Sequence, residues 1–166
     1  MQKITMSEAL QCTSPQPVSI VCSPMPGGMV NLATVAWWTY LESDPAMIGF
    51  SMWKESFTYA LLQGGGSLAL CIPGEVIADE TLKCGTVSGR DVSKAIEYNI
   101  ELYPAKVPFP VHSRVSFICT IEKMVEVGDC GFFICNIEEI YFSEEERQIF
   151  AWGSSQNLAP LTCNIN

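Results

Sequence analysis

Three short segments hold the side chains with chemical reach in this chain: Asn31-Leu-Ala-Thr-Val-Ala-Trp-Trp-Thr39, the run from Ser51 through Lys54 to Thr58, and Cys84–Lys94, which closes with Ser88-Gly-Arg-Asp-Val-Ser-Lys94. None pairs a nucleophile with a base or gathers metal ligands. Each offers small hydroxyls, backbone amides and a cation near a strand end or loop, which suits a phosphate ester and a flat polar ring. Ser51 and Trp53 share one strand face. Lys54 then leads into a predicted helix whose first turn carries Ser56 and Thr58, where free N–H groups and the positive dipole end favour an anion. Taken bare, Ser56 caps that helix and Lys54 is solvated. Neither a Gly-x-Gly-x-x-Gly turn after a strand nor a Gly-x-x-x-x-Gly-Lys-Ser/Thr loop is present, so scattered side chains must hold any phosphate.

The elements that must position these residues read mainly as strands. Pro17–Cys22 is β-branched, Pro24–Gly28 is turn chemistry, and Met29–Trp37 returns as a hairpin partner. Ala46–Trp53 follows a turn at Glu42–Pro45. Phe57, Ala60 and Leu61 recur at helical spacing, and Gly64-Gly-Gly66 stops that helix. A strand at Ser67–Ile72 precedes a helix over Glu75–Lys83, whose apolar stripe of Val76, Ile77 and Leu82 is broken by Glu80. Asp91 is positioned to cap a third helix, Val92–Tyr98. Pro104–Pro110 reads as an extended surface connection. Val115–Val127, the turn Gly128-Asp129 and Gly131–Phe142 form a long antiparallel hairpin, suited to a barrel wall. The fold class is therefore α+β, mainly β: an antiparallel barrel with short helices in a single domain, 1–166.

Composition narrows the function classes. Net charge is −9 with nine scattered basic residues, which disfavours nucleic acid. The acidic run Ser143–Arg147 reads as a solvated loop or short helix start. The apolar runs are too short to span a membrane, and the N-terminus lacks the pattern of an export leader, so the expected location is cytoplasmic. Eight cysteines show no Cys-x-x-Cys pair, so no metal site is expected; Cys22, Cys71, Cys119 and Cys135 read as small core hydrophobes. A 48% hydrophobic content with only 16% charged residues points to a buried interface, and hence to a homodimer.

In this order and spacing, from about Pro15 to about Trp152, the three segments resemble the flavin reductase-like family. The resemblance implies an FMN-binding split β-barrel with FMN as cofactor. It places the phosphate at Ser51, Lys54, Ser56 and Thr58, and the isoalloxazine ring along Asn31, Thr34, Ala36 and Trp37. Trp37 rather than Trp38 takes the ring, since consecutive strand residues face opposite ways. Ser88-Gly-Arg-Asp-Val-Ser-Lys94 matches the family's Ser-Gly-Arg-Asp-x-x-Lys signature. That adds Ser88 and Lys94 to the cofactor site, while Gly89 permits a tight turn and Arg90–Asp91 reads as a structural pair. Many relatives have Gly-Asp-His in the late hairpin where this chain has Gly128-Asp129-Cys130, which makes Cys130 the catalytic candidate and removes an imidazole. The implied activity is redox transfer through FMN, with NAD(P)H as donor in an NAD(P)H:FMN oxidoreductase-like enzyme. The alternative is a flavoredoxin-type electron carrier serving a redox protein partner without NAD(P)H.

Overall fold

The structure, a computed structural model, describes residues 1–152 and 158–160. In chain order its elements are α1 (Met6–Cys12), β1 (Gln16–Pro17), β2 (Ser19–Pro24), β3 (Val30–Val35), β4 (Trp38–Ser43), β5 (Ala46–Trp53), α2 (Phe57–Leu62) and β6 (Ser67–Pro73). There follow α3 (Ala78–Thr86), α4 (Lys94–Glu97), β7 (Leu102–Tyr103), β8 (Phe109–Pro110), β9 (Ser113–Val127), β10 (Cys130–Phe142), β11 (Ile149–Ala151) and β12 (Leu158–Pro160). Seven strands form one antiparallel sheet in the order β3-β2-β6-β9-β10-β5-β4, leaving β3 and β4 as edges. The sheet curls without closing, the open arrangement of a split barrel. Among the described residues no helix is long and apolar enough to cross a membrane.

Both faces of the central strands are covered, which is why β2 and β6 read as unbroken apolar runs rather than alternating ones. On one face Phe50 stacks on Phe133 with centroids 5.1 Å apart, beside Val21, Leu68, Leu70 and Phe117. On the other, Ile20, Cys22, Leu32, Cys71 and Ile118 pack beneath Cys84, Ile100, Val107 and Phe109. The four cysteines assigned to the core are each fully buried, and Cys84 joins them.

Several expectations shift. Asp91 does not cap a helix: its N–H donates to Ser88 O at 3.1 Å in a turn, so α4 starts later, after Ser93. The predicted second helix begins as a short 3-10 turn at Glu75–Ile77, leaving Val76 exposed and turning Thr81 and Cys84 inward in α3. In α2 the buried face is Thr58, Tyr59 and Leu62, displaced from the predicted stripe of Phe57, Ala60 and Leu61. The 104–110 connection is not a surface passage, since Val107 and Phe109 fill the second core and β8 pairs with β7. Glu146 likewise leaves the solvated run and bonds His112 Nδ1 at 2.7 Å from a buried position. The sequence pattern also carried an unread signal: Thr5 and Glu8 make a capping box that starts α1.

Candidate functional site

The three chemical segments converge on one cleft with two adjoining lobes. The larger lobe, about 340 Å³, lies between the end of β3, the approach to α2 and the turn after α3; its wall includes Asn31, Thr34, Ser56, Thr58, Ser88, Arg90 and Lys94. The smaller, about 270 Å³, is walled by Thr34, Ala36, Trp37, Ser51, Met52 and Trp53. Thr34, Met52 and Trp53 belong to both, so the lobes share a wall.

In the larger lobe, Ser56 caps α2 by accepting from Tyr59 N at 3.1 Å. With only six residues α2 adds little dipole, so side chains dominate the electrostatics here. Thr58 Oγ1 accepts from Asn31 Nδ2 at 2.9 Å, and the same amide donates to Ser23 Oγ at 3.2 Å. Asn31 Oδ1 is buried without a donor and lies against Gly89. A Cβ on Gly89 would sit inside contact distance of that oxygen, 2.9 Å from Asn31 Cγ and 3.1 Å from Phe57 Cδ1. Gly89 is thus needed for close approach, whereas its backbone is not in the left-handed region.

Lys94 is 4% exposed. Its ammonium donates to Leu32 O at 2.7 Å and Cys84 O at 2.6 Å, tying β3 to α3. An ammonium has three protons, so one remains for the cleft. Burial pulls its pKa below the usual lysine value. Burial also pushes the Cys84 thiol up to about 11, which keeps it protonated beside the ammonium. Thr34 donates to Thr81 O and ties the opposite end of β3 to α3.

Arg90, read from sequence as the partner of Asp91, instead donates to Glu55 O at 3.2 Å and lies over the Phe57 ring at 5.3 Å. It is an exposed cation in the wall of the larger lobe, a site residue that sequence reading missed. Lys54 is placed differently. It falls outside both lobes, and its ammonium meets Glu126 of β9 at 2.8 Å. That hydrogen bond raises the lysine pKa and lowers that of Glu126.

In the smaller lobe the chain bends at Ala36, so Trp37 lies between β3 and β4, not within a strand. Ser51 N donates to Trp37 O at 2.8 Å, fixing the bend against β5. Trp37 and Trp53 stay about half exposed, at 52% and 55%, while Trp38 packs against the core. The bend supplies the opposed directions that strand alternation was expected to give. Cys130 lies beyond these walls, at the base of the β9–β10 turn, paired in register with Trp53. His112, the single histidine, is engaged with Glu146.

Comparison with known proteins identifies the family and the fold. The model of the flavin reductase like domain matches residues 11–159. An uncharacterized Escherichia coli (strain K12) protein, YddH, is 31% identical over 70 residues, covering 42% of this chain and 37% of that relative. The flavoredoxin of Methanosarcina acetivorans superposes with a TM-score of 0.85 at 19% identity, over 100% of this chain and 94% of that one. The flavoredoxin of Desulfovibrio vulgaris (Miyazaki F) gives 0.84 at 17%, over 100% and 96%. An NADH:FAD oxidoreductase of Streptomyces globisporus, in complex with NAD and FAD fragments, gives 0.84 at 12%, over 100% of both chains. At such identities the likeness to the solved structures is one of fold.

Proposed function

We propose that this chain, which belongs to the flavin reductase-like domain family, is an FMN-binding redox protein that passes electrons through bound flavin. The observation that carries the reading is the donor set of the larger lobe. Arg90, the remaining Lys94 proton and the hydroxyls of Ser56, Thr58 and Ser88 line one cavity, beside a second lobe bounded by Trp37 and Trp53. Cations and hydroxyls together suit a phosphate monoester, and the apolar, half-open lobe suits a planar ring. The residues therefore fit FMN. Arg90, Ser56, Thr58, Ser88 and Lys94 would hold the phosphate end, while Thr34, Ala36, Trp37 and Ser51 would flank the ring and Asn31 would orient Thr58. Lys54 would join the phosphate only by leaving Glu126, so Arg90 takes its place in this reading. When bound, FMN supplies one- and two-electron transfer. The chain's own part is to fix the anion, exclude water from one side of the cleft and donate hydrogen bonds at the polar edge.

NAD(P)H is the proposed donor. A second reading, a carrier serving a redox protein, is favoured by the engagement of His112 with Glu146, away from the cleft walls. A homodimer is proposed as well: Trp37, Trp53 and Tyr40, the last 62% exposed, leave apolar surface for a second copy beside the cleft. A flavin titration followed by anaerobic NADH or NADPH tests the whole reading. Bound flavin that bleaches establishes the reductase, and bound flavin indifferent to both nucleotides establishes the carrier. Failure of FMN to bind overturns both.

A further inference from the structure

A third cavity, of about 270 Å³, lies away from the cleft and shares no wall residue with it. Three rings build it. Tyr103 stacks on Phe109 with centroids 5.2 Å apart, and Tyr141 tilts against Tyr103 at 5.5 Å and Phe109 at 5.2 Å. Phe142, 63% exposed, completes the rim. The walls are held in advance of any ligand. The β7–β8 ribbon fixes Tyr103 opposite Phe109, and Val111 N donates to Glu101 O at 2.9 Å. Arg114 donates to Ser143 O at 2.7 Å and Glu144 O at 2.8 Å while lying over Phe142 at 4.3 Å.

The polar groups of this cavity are unequal. Ser113 Oγ already donates to Pro110 O at 2.7 Å. Ser116, 1% exposed, has a hydroxyl with no hydrogen-bond partner, although a buried polar group is ordinarily satisfied. Ser143 contributes a second, half-buried wall hydroxyl. No wall residue is cationic, and Arg114 over Phe142 is engaged with carbonyls, so nothing in the wall compensates an anion. The volume is at the low end for small-molecule sites and suits one ring rather than a nucleotide.

We infer that this cavity is a second ligand site, taking a single neutral aromatic ring with one hydroxyl, whose polar group is met by Ser116 beside Ser143. The ring lies among Tyr103, Phe109 and Tyr141, and the hydroxyl of Ser116 acts as donor or acceptor as the substituent requires. The inference rests on the aromatic cavity and the orphan hydroxyl and does not depend on the flavin reading.

The test is amide-resolved NMR of the full chain titrated with phenol and, separately, with toluene. Phenol should saturably shift Ser113, Ser116, Tyr141 and Ser143, and bind more tightly than toluene. A neutral hydrogen bond corresponds to about three- to tenfold in affinity, so Ser116→Ala should weaken phenol by that factor and leave toluene unchanged. The substituted wall loses an unsatisfied hydroxyl, so its melting temperature should hold or rise. Val111→Trp, at an exposed rim position, should block both probes in a chain that melts normally. Shifts confined to the cleft around Asn31 and Trp37, or phenol affinity indifferent to Ser116→Ala, overturn the inference.

Discussion

Gly89→Ala offers a sharp test of the cleft. The added Cβ would collide with Asn31 Oδ1 and press on Asn31 Cγ at 2.9 Å and Phe57 Cδ1 at 3.1 Å. Two relaxations are open. Asn31 can swing away, losing its hydrogen bonds to Thr58 at 2.9 Å and Ser23 at 3.2 Å. Two bonds at roughly 0.5–1.5 kcal/mol each set that cost at about 1–3 kcal/mol. Otherwise the turn carrying Ser88 and Arg90 moves outward, displacing a wall of the larger lobe. Either course disturbs the anion site, because Thr58 loses its orienting partner or Arg90 shifts. Urea unfolding should show a midpoint lowered by about 1 M, taking an m-value near 2 kcal/mol per M. FMN affinity should fall by at least about tenfold, the equivalent of 1.4 kcal/mol. Gly64→Ala is the control: its Cβ would meet nothing within 4 Å, its φ is not positive, and it lies outside both lobes. An unmoved midpoint together with unchanged FMN affinity in Gly89→Ala would refute the close-approach reasoning.

Four further outcomes are expected. Arg90→Ala should weaken FMN about tenfold or more, the worth of a charge-assisted bond, while Lys54→Ala changes it by less than about threefold; fluorescence titration showing the reverse order would return the phosphate to Lys54. Lys94→Met leaves Leu32 O and Cys84 O without donors and should lose about 2–4 kcal/mol in urea unfolding, the desolvation of the ammonium offsetting part of the loss; an unchanged midpoint refutes the clamp. Burial raises the thiols of Cys84 to about 11 and Cys135 to about 12, so the fold prefers them neutral. Their stabilisation is complete below about pH 8.5, where unfolded thiols begin to ionise, and is lost as pH climbs to 11–12, about 3 kcal/mol for Cys84 alone; flat stability from pH 8 to 11 would contradict this. Cys130→His should change NAD(P)H oxidation or flavin potential with little effect on melting if the turn reaches the flavin, and an unaltered rate and potential in FMN-loaded protein would make Cys130 an ordinary turn residue.

Local chemistry was legible wherever a residue type has few alternatives. The run Gly64-Gly-Gly66 ends α2 with two glycines at positive φ, and Gly128 turns the long hairpin at φ 55°. The β5 boundaries, Ala46–Trp53, follow from apolar pattern and flanking turns alone. The order of the three chemical segments likewise carried the family, because each needs hydroxyls, amides and a cation at the end of an element. Tertiary structure decided which of those groups face the same space. Lys54 and Arg90 are equal as charges in the sequence, but the turn after β5 sends Lys54 to Glu126 on the β9–β10 hairpin, while the turn after α3 brings Arg90 to the cleft wall. The family signature places Lys94 at the cofactor site, but its role as a buried tie is set only in the fold, where the carbonyls of Leu32 and Cys84 replace its water. Gly89 is fixed by Asn31, which lies 58 positions earlier and is held beside it on β3 at the sheet edge. Spacing records local conformation; contact between remote segments depends on the register of seven strands, which no single segment contains.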